Sequence, residues 1–320
     1  MPKPPAASNP AARTPWPNAP LQRIVAGALE VAYHADGPAH GPPVLLMHGF
    51  PYDVHAYAEV MPRLVARGCR VIVPYLRGFG PTRFLRDDTP RSGEQAALGH
   101  DLLQLMDALQ LERAVLAGYD WGGRAACVVA ALWPQRCAGL LSFNSYNLQH
   151  IASAMTPDTP RNECSLWYQY YFHSERGRRG LAQDRRGLCR LLWQLWSPTW
   201  RFDDATFERS AAAFDNPDFV DVVIHSYRHR YGLVAGDPAL AEIEAALARQ
   251  PPITVPTLSF DGADDGVRPP ASAARHAHHF SAARRHAVLP GVGHNMPQEV
   301  PGVFADAVLS LVDGAWPGAR

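Results

Sequence analysis

Long apolar runs are missing from the 320-residue chain: no window reaches the eighteen or so consecutive apolar residues of a membrane-spanning helix, so none is expected. Cysteine is scarce and scattered. Cys69, Cys127, Cys137, Cys164 and Cys189 are odd in number and contain no Cys-x-x-Cys, which argues against a disulfide framework and against a zinc site. Reduced thiols in a cytoplasmic protein are the expectation. Neither sign of charge is in excess, with 30 Lys plus Arg against 30 Asp plus Glu, so no electrostatic footprint points to nucleic acid or a membrane surface. A small-molecule ligand is expected instead, and homo-oligomerisation is left open. Proline crowds the beginning of the chain, at Pro2, Pro4, Pro5, Pro10, Pro15, Pro17 and Pro20, where the apolar stretch of a secretory signal is also lacking. Residues 1–20 are read as a flexible tail.

What is present is a composition able to bury one large core, 47% of it hydrophobic. Short apolar runs read as strands at Leu21 to Val25, Leu29 to Tyr33, Val44 to Met47 and Arg70 to Val73. Leu98, Leu102, Leu105, Met106 and Leu109 then recur at helical spacing. Ala114 to Ala117 is a strand that stops at Gly118, followed by a buried helix from Arg124 to Leu132 closed by Pro134, then a strand from Gly139 to Phe143. This alternation predicts an α/β fold with a mainly parallel twisted sheet flanked by helices, whose ligands gather at the carboxyl ends of the strands. Between about Asn147 and Pro252 strand-like runs give way to Arg and aromatic residues, as in Trp167 to Phe172 and Trp193 to Phe202. The sheet pattern resumes at Thr254 to Phe260 and Ala287 to Leu289, and Val303 to Val312 closes the chain as a helix. The expected organisation is one core, residues 21–148 and 251–320, interrupted by a helical cap at 149–250.

The strongest local signal is Gly118-Tyr119-Asp120-Trp121-Gly122-Gly123, set between a strand and a helix. A nucleophile on a tight strand-to-helix turn is held in a strained backbone, and small residues two positions either side relieve the crowding. Asp120 occupies the centre. On this motif alone, an ordinary turn with Asp120 as a helix N-cap is the alternative.

The Gly-x-nucleophile-x-Gly turn resembles the elbow of the α/β-hydrolase fold, with aspartate where familiar members carry serine. In that fold the chain order is nucleophile, acid, histidine. His294, in the glycine-rich stretch Gly291-Val292-Gly293-His294 after a late strand, has the histidine's place. Asp265 fits the Gly-x-x-Asp spacing after the strand ending at Phe260, with Asp264 a credible neighbour; the other acid position, after Phe143, holds only Asn144, Ser145, Tyr146 and Asn147. The loop His48-Gly49-Phe50-Pro51 stands where the fold places an oxyanion-hole donor, so the N–H groups of Phe50 and Trp121 form the expected pair. A carboxylate nucleophile attacking an ester would form only a labile anhydride; it suits an sp3 carbon with a strained or good leaving group.

Together the elbow and the His-Gly-Phe-Pro loop resemble the epoxide hydrolase branch of this fold, and the resemblance covers nearly the whole chain after about Leu21. It implies a cofactor-independent and metal-free hydrolase that opens an epoxide to a vicinal diol through an ester on Asp120, hydrolysed by water that His294 and Asp265 activate. It also implies two tyrosine acids. Tyr168 within Trp167-Tyr168-Gln169-Tyr170-Tyr171-Phe172 and Tyr227 within Ser226-Tyr227-Arg228 match them, with Tyr170, Tyr171 and Tyr231 as alternatives. His48, Pro51, Trp121, Arg124, Trp167 and Tyr171 are the expected substrate contacts. The aromatic residues Trp167, Phe172, Trp193 and Trp196 point to an apolar or aromatic substrate. Haloacetate dehalogenases share the loop but carry Gly-x-Asp-Arg-Gly-Gly-Arg at the elbow; here Trp121 replaces the first arginine and Arg124 keeps the second, so dehalogenation of a haloacid is the alternative. Haloalkane dehalogenase is disfavoured because Phe50 offers no side-chain donor for a halide. A member that binds ligand without catalysis is the further alternative.

Overall fold

The computed structural model describes residues 20–268, 270 and 276–314. All but the last residue of the expected proline-rich tail lie outside these, as does the C-terminal end of the expected second core segment. Nine strands form one sheet: β1 (Gln22–Ala26), β2 (Leu29–Asp36), β3 (Pro43–Met47), β4 (Arg70–Pro74), β5 (Arg83–Phe84), β6 (Ala114–Gly118), β7 (Cys137–Phe143), β8 (Thr257–Gly262) and β9 (Arg284–Leu289). Their spatial order is β1-β2-β4-β3-β6-β7-β8-β9, with β5 beside β2. From β4 through β9 every neighbouring pair runs parallel, whereas β2 pairs antiparallel with β1, β4 and β5. The central strands β3 and β6 pair in the register Val44↔Val115 and Leu45↔Leu116 and are buried along almost their whole length. Their unbroken apolar runs follow from cover on both faces. Helix α2 (Gln95–Ala108) packs on α3 (Asp120–Leu132), Gly99 allowing close approach to Val128. The closing helix Pro301–Val312 packs on β7 and on α1 (Met61–Val65).

Between β7 and β8 the described chain forms helices only: α4 (Pro160–Ser165), α5 (Trp167–His173), α6 (Glu175–Gln183), α7 (Arg185–Trp196), α8 (Asp204–Ala211), α9 (Phe219–His229) and α10 (Ala241–Ala248), with short 3-10 turns. Two buried polar anchors tie this helical insertion to the sheet domain. Trp193 Nε1–H donates to the Pro51 carbonyl at 2.7 Å, and the Asn216 amide donates to the Gly80 and Thr82 carbonyls at 2.9 and 2.8 Å.

The element boundaries differ from the sequence reading for identifiable reasons. Helix α3 begins at Asp120 rather than Arg124, because the elbow residue itself opens the first turn. Strand β8 begins at Thr257 rather than Thr254: Pro256 has no N–H for the ladder. Strand β9 starts three residues earlier than its apolar run, with Arg284 and Arg285 on the sheet's edge strand. Strand β5, two residues long, carries no readable pattern. All five cysteines are free thiols, Cys164 exposed and the others buried. Among the described residues no helix is long and apolar enough to cross a membrane.

Candidate active site

Asp120 stands at the carboxyl end of β6 with φ at 50°, a left-handed conformation uncommon for a residue other than glycine, though aspartate adopts it more readily than most. The turn is constrained by backbone crowding. A Cβ on Gly122 would lie 2.0 Å from the Met47 carbonyl oxygen, and one on Gly49 would lie 2.6 Å from the Asp120 Cβ. Glycine at both positions lets β3 and its following loop close against the elbow. The Phe50 N–H then donates to Asp120 Oδ1 at 2.7 Å. The Trp121 N–H belongs to the first turn of α3, where no intrahelical acceptor exists. Asn147 Nδ2 donates to the Asp120 carbonyl at 2.9 Å and fixes the turn from below.

On the other side of Asp120 lies His294. Its Nε2 is 3.6 Å from Asp120 Oδ2, too long for a hydrogen bond, and otherwise has no partner; its Nδ1 is 2.9 Å from Asp265 Oδ2. Asp265, not Asp264, is therefore the carboxylate that orients the imidazole. Asp265 is itself held by the Val267 N–H at 2.7 Å, the Arg268 N–H at 3.2 Å and Asn144 Nδ2 at 3.1 Å. Burial disfavours a charged imidazole, but the carboxylates of Asp265 and Asp120 outweigh it and push the His294 pKa up to about 10. For Asp120, burial would raise the pKa, yet His294 with Arg124 and the Phe50 N–H holds it below the ordinary aspartate value. The resting pair is thus imidazolium and carboxylate.

Tyr168 on α5 and Tyr227 on α9 meet edge to face, with ring centroids 5.4 Å apart, and both are buried. The Tyr227 ring packs on Phe50 at 5.4 Å and on Trp121 at 6.1 Å, which brings it to the oxyanion loop and the elbow. The Tyr168 hydroxyl accepts from Gln169 Nε2 at 2.9 Å, leaving its proton available to donate. Burial raises both phenol pKa values, so both remain protonated donors. The alternatives lie elsewhere: Tyr170 is partly exposed with its hydroxyl on Glu163, and Tyr231 packs on His173.

Some expected substrate contacts have other duties. His48 accepts the Leu76 N–H on Nε2 at 3.1 Å, while its Nδ1 is 3.0 Å from the Gly49 carbonyl; both ring nitrogens are committed to backbone, and burial lowers the pKa to about 4. The ring is a neutral brace for the loop, with no nitrogen left for substrate. Pro51 uses its carbonyl to receive Trp193. Trp167 and Tyr171 are half-buried and pack on each other at 6.1 Å and on their neighbours Tyr168 and Phe172 at 6.4 and 6.0 Å. Arg77, in the loop after β4, braces the core through two 2.6 Å bonds to Asp101.

The structure also adds residues that sequence reasoning passed over. The His294 N–H donates to the Trp196 carbonyl at 3.1 Å and to Ser197 Oγ at 3.0 Å, and Ser197 in turn donates to Glu299 at 2.7 Å. Asn144, at φ 69°, fills the second acid position of the fold as a support for Asp265. The indole N–H groups of Trp121 and Trp196 are buried without a partner, and both rings flank Phe50. Among the described residues no group of three His, Cys, Asp or Glu side chains could hold a metal ion.

An Asp-His-Asp constellation, at the carboxyl ends of parallel strands and beneath inserted helices, defines the class. A family model described as alpha/beta hydrolase fold matches residues 42–299, and the chain belongs to that family. The crystal structure of a candidate epoxide hydrolase from Klebsiella pneumoniae superposes with a TM-score of 0.90 at 46% identity, covering 92% of this chain and 97% of that one. Epoxide hydrolase B of Mycobacterium tuberculosis is 33% identical over 112 residues, 34% of this chain and 31% of that protein. A haloalkane dehalogenase of Mycobacterium marinum is 36% identical over 121 residues, 37% of this chain and 39% of that protein. The matched segment spans about a third of the length of the first curated relatives.

Proposed function

We propose that this chain hydrolyses an epoxide to a vicinal diol through a covalent ester on Asp120, with residues 149–250 acting as the cap that supplies the acids. The observation that carries the reading is the pairing of two buried, protonated tyrosines with a carboxylate nucleophile. A carboxylate is a weak nucleophile, so the epoxide oxygen leaves readily only as it is protonated, and a phenol is a donor of suitable strength, because an alkoxide is more basic than a phenolate.

Asp120 Oδ1 is engaged by the Phe50 N–H, so Oδ2 is the attacking oxygen. It bonds to a ring carbon as the C–O bond breaks, and the departing oxygen takes a proton from Tyr168 or Tyr227. The product is a neutral hydroxyalkyl ester. The imidazolium proton of His294 returns by way of solvent to the tyrosinate; the neutral His294 then removes a proton from water, which attacks the ester carbonyl carbon, and the oxyanion forms on Oδ1 facing the N–H groups of Phe50 and Trp121. Collapse breaks the acyl C–O bond, the leaving oxygen takes the remaining proton of the added water, and the diol departs with the carboxylate and the imidazolium restored. The test is turnover of aryl and alkyl epoxides beside haloacetates and 1-haloalkanes, with Asp120→Ala as the blank. Diol formation that disappears in the blank is the expected result, and an epoxide left unconsumed would refute it.

Dehalogenation is the second reading. The observation favouring it is the pair of unpartnered indole N–H groups of Trp121 and Trp196, both suited to a departing halide. Halide release without diol in the same panel would select it.

A further inference from the structure

Arg124 sits one turn beyond Asp120 on α3 and is 4% exposed, yet no carboxylate among the described residues pairs with it. Its Nε donates to the Asn147 carbonyl at 3.3 Å, while its buried Nη1 has no partner. Arg230, just past α9, is half-buried and likewise has no paired carboxylate among the described residues. Its Nε is buried and unpartnered, its guanidinium carbon stands 4.1 Å from the Tyr227 ring centroid, and its polar contact is Nη2 on Ser226 Oγ at 3.5 Å. Both arginines line a cavity of about 660 Å³, together with Arg268 and four histidines. Two carboxylates also border it; of these, the oxygens of Glu163 are taken by the Asp158 N–H and the Tyr170 hydroxyl.

Burying the Arg124 guanidinium without a paired carboxylate is unfavourable, and the half-buried Arg230 and exposed Arg268 facing the same space add repulsion. Burial, followed by the charge of Arg230, lowers the pKa of Arg124; Asp120 opposes the shift and Arg268 adds to it. A bound anion removes both penalties and completes the missing hydrogen bonds. The cavity also adjoins the reacting groups without including them. Gln169 lines it and donates to the Tyr168 hydroxyl, Arg124 is a helical turn from Asp120, and Arg230 lies over Tyr227.

We propose that this cavity is an anion subsite and that the substrate class is an epoxide bearing a carboxylate a few bonds from the oxirane, held by Arg124 and Arg230. The inference rests on the epoxide reading above and refines it: the aromatic surroundings of Tyr168 and Tyr227 receive an apolar portion, and the arginines receive the charged end.

The test compares trans-3-phenylglycidate with trans-β-methylstyrene oxide, which carries a methyl group in place of the carboxylate. The wild-type kcat/KM is expected to favour the carboxylate by about tenfold to a hundredfold, the range of a charge-assisted hydrogen bond. Arg230→Gln, checked for folding by its thermal melt, should abolish most of that ratio through KM, and Arg230→Lys should restore part of it. Arg268→Gln, at an exposed position, should reduce the ratio less. Equal or reversed wild-type preference would overturn the anion subsite while leaving epoxide hydrolysis standing. If neither epoxide is consumed, the epoxide reading fails, and calorimetric binding of 3-phenylpropanoate then decides the subsite alone. Binding lost in Arg230→Gln upholds it, and no binding to the wild type overturns it.

Discussion

Replacing Asp120 with asparagine removes one negative charge while keeping the shape of the side chain, as the neutral ester would. The Asp120 carboxylate lies 3.6 Å from His294 Nε2, with both side chains largely buried. At an effective dielectric of ~20 a unit charge at that distance interacts by about 4 to 5 kcal/mol, or roughly 3 pKa units. The His294 pKa, now about 10, should therefore fall to about 7 in Asp120→Asn, with Asp265 supplying what elevation remains. Titration of ¹⁵N-labelled imidazole followed by NMR, with His294→Gln identifying the resonance, measures it directly. A midpoint that stays above about 9 would show that Asp265 alone holds the proton and that the charge of Asp120 does not set the state of the base. The sign for stability follows. A histidine whose folded pKa exceeds its ordinary value of 6.5 stabilises the fold fully below pH 6.5, and the contribution is lost as pH rises through about 10. In Asp120→Asn that loss should be complete near pH 7. Under the proposed ester route, ester formation would neutralise Asp120 and so release His294 to act as a base near neutrality, after ring opening and not before it.

Tyr168→Phe and Tyr227→Phe should each slow ring opening by about 10²-fold, the usual share of a general acid, and leave hydrolysis of a preformed ester unchanged; pre-steady-state tryptophan fluorescence separates the two steps. Gly122→Ala should destabilise the chain by about 3 kcal/mol, because its methyl would lie 2.0 Å from the Met47 carbonyl oxygen, and a lowered melting temperature checks it.

The centre of the candidate site was legible where its determinants are local. A strand, a glycine-flanked aspartate and a helix are adjacent in sequence, and the steric reason for Gly118, whose added Cβ would lie 2.6 Å from the Gly122 carbonyl carbon, is contained in the turn itself. Chain order then singled out His294 among fourteen histidines. The choice between Asp264 and Asp265 needed side-chain direction, which the distance to Nδ1 supplies. The supports were illegible because each arrives from far along the chain: Ser197 is 97 residues from His294, and Asn144 is 121 from Asp265. His48 misled because adjacency to the oxyanion loop resembles a substrate contact, whereas its nitrogens are used by Leu76 and Gly49. Helical spacing groups Tyr168 with Phe172 on one face of α5, but the sequence cannot say which face turns inward. Arg230 had no motif, since its significance comes from sharing a cavity with Arg124.

Isotope labelling distinguishes the ester route from direct attack of water on the ring. In the ester route water adds to the Asp120 carboxyl carbon and the acyl C–O bond breaks, so the oxygen entering the diol comes from Asp120 and the water oxygen remains in the enzyme. A single turnover in H₂¹⁸O, with enzyme in excess over substrate, should therefore give unlabelled diol and a peptide containing Asp120 that is heavier by about 2 Da. The geometry makes the outcome sharp. Phe50 N–H holds Oδ1 at 2.7 Å while Oδ2 lies 3.6 Å from His294 Nε2, so the oxyanion donor and the base stand at different oxygens of the same carboxylate. Label in the diol on the first turnover, with Asp120 unlabelled, would mean that His294 delivers water to the ring carbon and that Asp120 only stabilises charge.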